Sequence, residues 1–511
     1  MSDTPDHFDI LIVGAGLSGV GAAVTLKRKF PGKSFAILEQ RERVGGTWDL
    51  FRYPGVRCDS DMYTLGYRFK PWGGKEAIAD GDKIRDYIEE AARENEILPL
   101  IRFGHKLLSA DWSTEEAKWT LKSEKVGTGE EVTLTGTMVV FCSGYYRYDR
   151  GNDPKFDGKD EFEGTIAHPQ FWPDDLDYEG KRVVVIGSGA TAITLVPTLA
   201  EKAAHTTMLQ RSPAYVVTRP SVDPMSKRLR FLPKKVGHKL TRWKALVMQQ
   251  IIYGMSRRRP DRVKKLIDKW TRKELGPDYD YETHFTPRYN PWDERICVSK
   301  DGDFFEAIRQ GKAEMVTDAV ERFTKTGIKL ESGREIEADI IVTATGLELV
   351  SFGGADVRLD GASIEPSDLI SYRSILFAGL PNAAVVFGYA GASWTLKLEL
   401  GVRYLCRLIS HMDRVGKQVF LPVGVDDYGH KKMLLDLTAG YVKRGSKWIP
   451  RQGEEKPWDN PQNYFVDYRR LLIEPVDDDV LALREAGEPL PELLRSAPVQ
   501  DQTAPSELSD A

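Results

Sequence analysis

Gly14-Ala15-Gly16-Leu17-Ser18-Gly19 stands directly behind the apolar run Phe8-Asp9-Ile10-Leu11-Ile12-Val13 and directly ahead of the helical pattern Val20 to Lys29. A glycine pattern alone is a weak signal, but between a strand and a helix it predicts the opening crossover of a dinucleotide-binding unit. The first two glycines permit a tight turn and let backbone approach a pyrophosphate. The third lets the helix pack closely, and the helix N-terminus points amide donors at the anion. A second strand, Ser34 to Glu39, follows the breaker Pro31-Gly32, and Glu39 closes it 25 residues after Gly14. A carboxylate at this offset accepts from a ribose 2′-hydroxyl and repels a 2′-phosphate, so the expected occupant is FAD or NAD, and the N-terminal position favours FAD. The plainer alternative is a glycine turn without a ligand.

The same grammar returns downstream. Arg182 to Ile186 is apolar, Gly187-Ser188-Gly189-Ala190-Thr191-Ala192 is the GxGxxA variant of the turn, Ala190 to Ala200 is helical and Thr206 to Gln210 extended. Here the residue 24 positions after Gly187 is Arg211. Its planar guanidinium suits a phosphate and predicts NADPH, against the alternative of an ordinary surface arginine beside NADH. Met138 to Cys142 and Ile340 to Thr345 are further strand candidates, each ending in a small-residue turn. The expected fold is α/β, with two Rossmann-like dinucleotide-binding domains and a helical insertion. Residues 1–147 and 346–495 are assigned to the FAD domain, 148–220 and 294–345 to the NADPH domain, 221–293 to the insertion and 496–511 to a disordered tail.

Bulk properties agree with this plan. The 511 residues exceed what one core usually organises, 41% hydrophobic and 29% charged residues is globular composition, and a net charge of −4 makes no case for nucleic acid. Cys58, Cys142, Cys297 and Cys406 are widely spread, so neither a disulfide framework nor a metal site is expected. The polar start and the lack of a long apolar span suggest a cytoplasmic protein. Ser221 to about Leu275 is strongly basic, with Lys234-Lys235, Arg257-Arg258-Arg259 and Lys264-Lys265. It reads either as a surface for anionic substrate, lipid headgroups or NADPH, or as a solvated face. The second reading is preferred, so membrane association is not favoured.

Two dinucleotide sites of opposite ribose preference suggest hydride transfer from NADPH to a flavin. Disulfide reductases share the plan but need a redox cysteine where this chain reads Gly45-Gly46-Thr47-Trp48, and Cys58 has no partner nearby. That class is excluded. The stretch Phe162-Glu163-Gly164-Thr165-Ile166-Ala167-His168-Pro169-Gln170-Phe171-Trp172-Pro173 matches FxGxxxHxxxW(P/D), and Gly45 through Trp48, Tyr53, Pro54 and Gly55 to Asp59 matches a second long pattern. On these residues the chain resembles the type I Baeyer–Villiger monooxygenases over nearly its whole length. Trp172 favours them over the related flavin-containing monooxygenases, which tend to have Tyr or Phe there. Within the family it is most similar to the ethionamide-activating monooxygenases, through stretches such as Cys142-Ser143-Gly144-Tyr145-Tyr146 and Ala392-Ser393-Trp394-Thr395.

The resemblance implies that NADPH reduces FAD, O2 adds to the reduced flavin, and the resulting peroxyflavin attacks a ketone to give an ester or lactone, with sulfoxidation as a side activity. It places the catalytic arginine at Arg295 and pairs it with Asp59, which also serves cofactor binding. Taken alone, Asp59 reads equally as a helix N-cap and Arg295 as a surface ion-pair partner. Many relatives carry Lys just before the arginine to bind the 2′-phosphate. Here Glu294 departs from that pattern, leaving more of the discrimination to Arg211. Trp48 and Tyr53 read as flavin contacts or as core aromatics. His168 reads as a hinge or hydrogen-bonding residue. Ser393 and Trp394 fall in a segment that lines the substrate pocket in relatives, or at an ordinary helix start with Ser393 as its N-cap. Two rival functions stay open: oxidation of N or S heteroatoms only, and a flavin-bearing binding or electron-transfer protein.

Overall fold

The computed structural model describes residues 5–425 and 427–491; the expected tail at 496–511 lies outside them. The first strand, Asp6–Val13, runs parallel to Phe35–Leu38 on one side and to Glu131–Phe141 on the other, with the helix Leu17–Lys29 as the crossover. They belong to a nine-stranded sheet. Residues 105–141 add an antiparallel meander to it, and the chain returns after residue 355 with strands Asp356–Leu359 and Ala383–Val385.

The second half of the first strand, Ile10 to Val13, is apolar without alternation because both its faces are covered. Ile10 and Ile12 enter the cluster formed with the helices Leu17–Lys29 and Trp394–Val415, whereas Leu11 and Val13 enter a second cluster around Trp112, Trp119 and Phe352. The downstream unit repeats this logic. A five-stranded sheet runs in the order Ala313–Thr317, His205–Gln210, Arg182–Ile186, Ile340–Thr343, Thr165–Ala167, all parallel. Val183 and Val185 face one core, Val184 and Ile186 another.

The basic segment is helical, chiefly as Lys234–Arg258 and Pro260–Leu275. It is spliced between Val216–Arg219 and Cys297–Lys300, two strands that pair in parallel. Its first long helix does not stand apart. Arg242 of that helix ion-pairs with Glu399 at 2.9 Å and donates to the carbonyls of Tyr63 and Gly66, so the insertion is clamped to the first unit. Among the described residues, no helix is long and apolar enough to cross a membrane.

Candidate functional site

A cavity of about 420 Å³ runs along the C-terminal edge of the nine-stranded sheet. Its lining includes Glu39, Leu107, Gly14, Gly16, Trp48, Asp59, Arg295 and Trp394. Acid, glycine turn and an aromatic–cationic group thus line one cavity, the features that ribose, pyrophosphate and ring system of a dinucleotide call for.

Gly19 has no room for a side chain, because a Cβ would be driven into the Gly14 carbonyl, and this close approach seats the helix Leu17–Lys29 on the strand. Glu39 sits at the end of Phe35–Leu38, where its carboxylate accepts from the amides of Ala15 at 2.7 Å and Arg41 at 2.9 Å. Burial pushes its pKa up, against those two amides and the Arg41 charge. One carboxylate thus ties the strand end to the glycine turn beside the place where a ribose would lie. The residues present fit an FAD.

The second turn is more open. Gly187 takes φ +137, and a Cβ there would run into the Ala344 carbonyl at the end of the neighbouring strand. Gly189 and Ala190 are exposed, and a Cβ at Gly189 would meet nothing within 4 Å, which leaves that face free for a phosphate. Thr191, on the first turn of Ala190–Leu199, is half-buried near the Tyr53 phenol. Tyr53 packs in the core of this second unit, where burial raises its pKa to about 12, and it does not line the cavity. Arg211 is exposed just beyond His205–Gln210, and Arg444 stands within electrostatic reach of it. Sequence reasoning missed Arg444, which lies 233 residues away in the chain.

Arg295 lies in the cavity wall, not on the outer surface, so the surface ion-pair alternative falls. Its Nη2 donates to the Tyr145 hydroxyl at 3.1 Å and its Nε to the Tyr441 hydroxyl at 3.4 Å. Tyr145 first, then Tyr441, Tyr146 and Asp59, raise its pKa well above the usual arginine value in spite of burial. The expected ion pair with Asp59 needs correction. The two side chains share the cavity and feel each other's charge, but the arginine's hydrogen bonds go to two phenols, which hold it without neutralising it. Nor is Asp59 a helix cap. The side chain that accepts from Thr64 N at the head of Met62–Leu65 is Asp61. Tyr441 carries no sequence signal, and Tyr145 carries only that of the shared stretch Cys142 to Tyr146.

Trp48 lines the cavity, as does Trp394, whose indole donates to Ser18 Oγ at 2.7 Å and stacks on Tyr145 at 5.3 Å. Ser393 parts from its neighbour. It occupies the N-cap position of Trp394–Val415 without capping it, and its buried hydroxyl shares a 2.6 Å hydrogen bond with Thr64 Oγ1. That placement gives Ser393 no access to a substrate. Glu294 is half-buried, its pKa raised by burial and drawn back by Lys443. His168 is away from the cavity: Nδ1 accepts from Gln170 N at 3.2 Å, and burial lowers its pKa. All four cysteines are free and buried. No cluster suited to a metal ion occurs among the described residues.

Comparison with known proteins agrees with this fold. Residues 77–387 match the flavin-binding monooxygenase-like family, and residues 12–68 match an NAD(P)-binding Rossmann-like domain. The chain is 48% identical over 488 residues to the FAD-containing monooxygenase EthA of Mycobacterium tuberculosis (strain ATCC 25618 / H37Rv), covering 95% of this chain and 99% of that one. It is 47% identical over 478 residues to EthA of Mycolicibacterium smegmatis, covering 93% and 97%. A solved oxidized steroid monooxygenase bound to NADP has the same fold, with a TM-score of 0.72, 21% identity and coverage of 94% of this chain and 100% of that one.

Proposed function

The chain belongs to the flavin-binding monooxygenase-like family, and on that premise we propose that it is an FAD- and NADPH-dependent Baeyer–Villiger monooxygenase converting ketones to esters or lactones, with sulfoxidation as a side activity. When bound, FAD supplies the redox centre that accepts hydride from NADPH and activates O2. The rest falls to this chain's own residues. Gly14 to Gly19 and Glu39 bind the first dinucleotide, and Gly187, Gly189, Ala190 and Thr191 the second.

The observation that carries the reading is Arg295. Attack on a carbonyl requires an oxygen donor kept anionic, and negative charge then develops on the substrate oxygen. A guanidinium that cannot deprotonate, fixed in the cavity by Tyr145 and Tyr441, stabilises charge at both places. Asp59 shares the chamber and orients that field. Trp48 and Trp394 supply apolar walls that exclude water and strengthen it. Arg211 and Arg444 together offer the positive charge that Glu294 withholds from a 2′-phosphate.

A panel of ketones and sulfides incubated with NADPH and O2, beside NADH, tests the proposal through mass identification of products. Esters or lactones are expected, with NADPH preferred. Sulfoxides without any ester would replace it by oxidation of heteroatoms alone.

A further inference from the structure

The insertion helix Lys234–Arg258 has two faces of different character. Its inner face is fixed to the first unit: Gln249 donates to Asp61 at 2.6 Å and to Thr64 at 2.9 Å, and accepts from Ser393 N at 3.2 Å. Ser393 lies between Ala392 and Trp394, both in the cavity wall, so this helix backs the chamber. On the outer face Val236, Leu240, Trp243, Ile251 and Met255 are 41–56% exposed, and their spacing sets them along one stripe of the helix. Phe231, just ahead of the helix, is 80% exposed. Trp243 meets Phe465 edge-on at 5.7 Å, and Phe465 is itself exposed, which carries the apolar ground onto Tyr464–Leu472. Single exposed apolar side chains need no explanation, but a contiguous ridge of this length marks a contact surface.

Charge narrows the partner. The helix holds seven Lys and Arg and no Asp or Glu, and residues 221–275 hold seventeen against four, in a chain whose net charge is −4. Lys235, Lys239 and Arg258 are exposed; Lys239 lies beside the stripe, while Lys235 and Arg258 stand at its two ends along the helix. A second copy meeting this face across a two-fold axis would set like charges against each other. An apolar ridge with a cationic rim matches instead a bilayer carrying anionic headgroups. We propose that the outer face of Lys234–Arg258, with Phe231 and Phe465, docks on an anionic lipid surface. The apolar side chains enter the boundary between headgroups and acyl chains while the lysines and arginines meet lipid phosphates. This reverses the solvated-face reading of the sequence, which accounts for the charge but not for the exposed ridge.

The test uses the FAD-loaded full chain without turnover, so its outcome is independent of the proposed reaction. Co-sedimentation is measured with vesicles of phosphatidylcholine alone and of equal parts phosphatidylcholine and phosphatidylglycerol. Binding is expected to the mixed vesicles only, weakened about tenfold or more by the pair Trp243→Glu and Ile251→Glu, and separately by Lys235→Glu with Lys239→Glu. Unchanged flavin absorbance and melting temperature establish that each variant is folded. Failure of the parent chain to bind mixed vesicles overturns the proposal, as does binding that neither pair of substitutions weakens. A concentration-dependent dimer that the same variants dissolve, with no vesicle binding, would assign the ridge to a second copy of this chain.

Discussion

Arg295 is the residue on which the proposed reaction turns, and its neighbours say how it works. Two phenols hold the guanidinium without cancelling its charge, so the arginine stays cationic at any working pH. Replacing Arg295 with Ala is expected to lower ester formation by about 10²-fold or more. Flavin content should be unchanged, as read by absorbance and product mass. Arg295→Lys restores charge but cannot span both hydroxyls, so it should recover only a fraction of the rate. Cofactor choice is the second residue-level question. Arg211→Ala should weaken NADP⁺ binding about tenfold and leave NAD⁺ unaffected, and Arg444→Ala should act in the same direction, both measured by titration calorimetry. Arg211 was legible because the βαβ pattern fixes its offset from Gly187. Arg444 and Tyr441 were not, because a long-range fold brings them to the site and no local pattern records it.

At the level of elements, both crossover units could be read from residues because their strands are buried on two faces. An apolar run such as Ile10 to Val13 has few alternatives once a glycine turn closes it. The helix Leu17–Lys29 starts three residues before the pattern Val20 to Lys29, since Leu17 and Ser18 already bury beside the turn. Less legible is what joins neighbouring strands. Asp339, at the entry to Ile340–Thr343, accepts from Arg182 N at 2.8 Å and pairs with its guanidinium at 2.9 Å, locking two central strands of the second sheet. Arg182 lowers the Asp339 pKa from 3.8 to about 2. A carboxylate lowered on folding adds stability that is full above its ordinary value and is lost as pH falls toward the folded one. Asp339→Asn should therefore lower the denaturation midpoint near neutral pH, and the gap from the parent should close below about pH 4. With the side chain 38% exposed, the effect stays within about 1 kcal/mol.

Across the whole molecule, the insertion is the part whose place composition could not give, because its basic residues read alike as solvent-facing or as docked. Arg242 settles that for one face, since it is among the few of those cations turned inward. Its ion pair with Glu399 is largely shielded, with 13% and 12% of the side chains exposed. Glu399 has its pKa raised by burial, a rise that Arg242 opposes. Removing the arginine strands a carboxylate in a place it cannot tolerate charged. Arg242→Met is expected to cost about 3 kcal/mol near neutral pH. The sign of its pH dependence follows from Glu399, whose pKa then climbs further above the unfolded value. Between those two values the folded chain holds a proton that the unfolded chain releases, so stability falls as pH rises. The variant should thus melt closest to the parent at acidic pH and furthest from it at alkaline pH, in calorimetric scans of the FAD-loaded protein. Adding Glu399→Gln should recover much of the loss at neutral pH and flatten the dependence. If the single variant instead loses the same stability at every pH, Glu399 is not the group left unpaired, and what Arg242 adds to the clamp between insertion and first unit comes through the Tyr63 and Gly66 carbonyls.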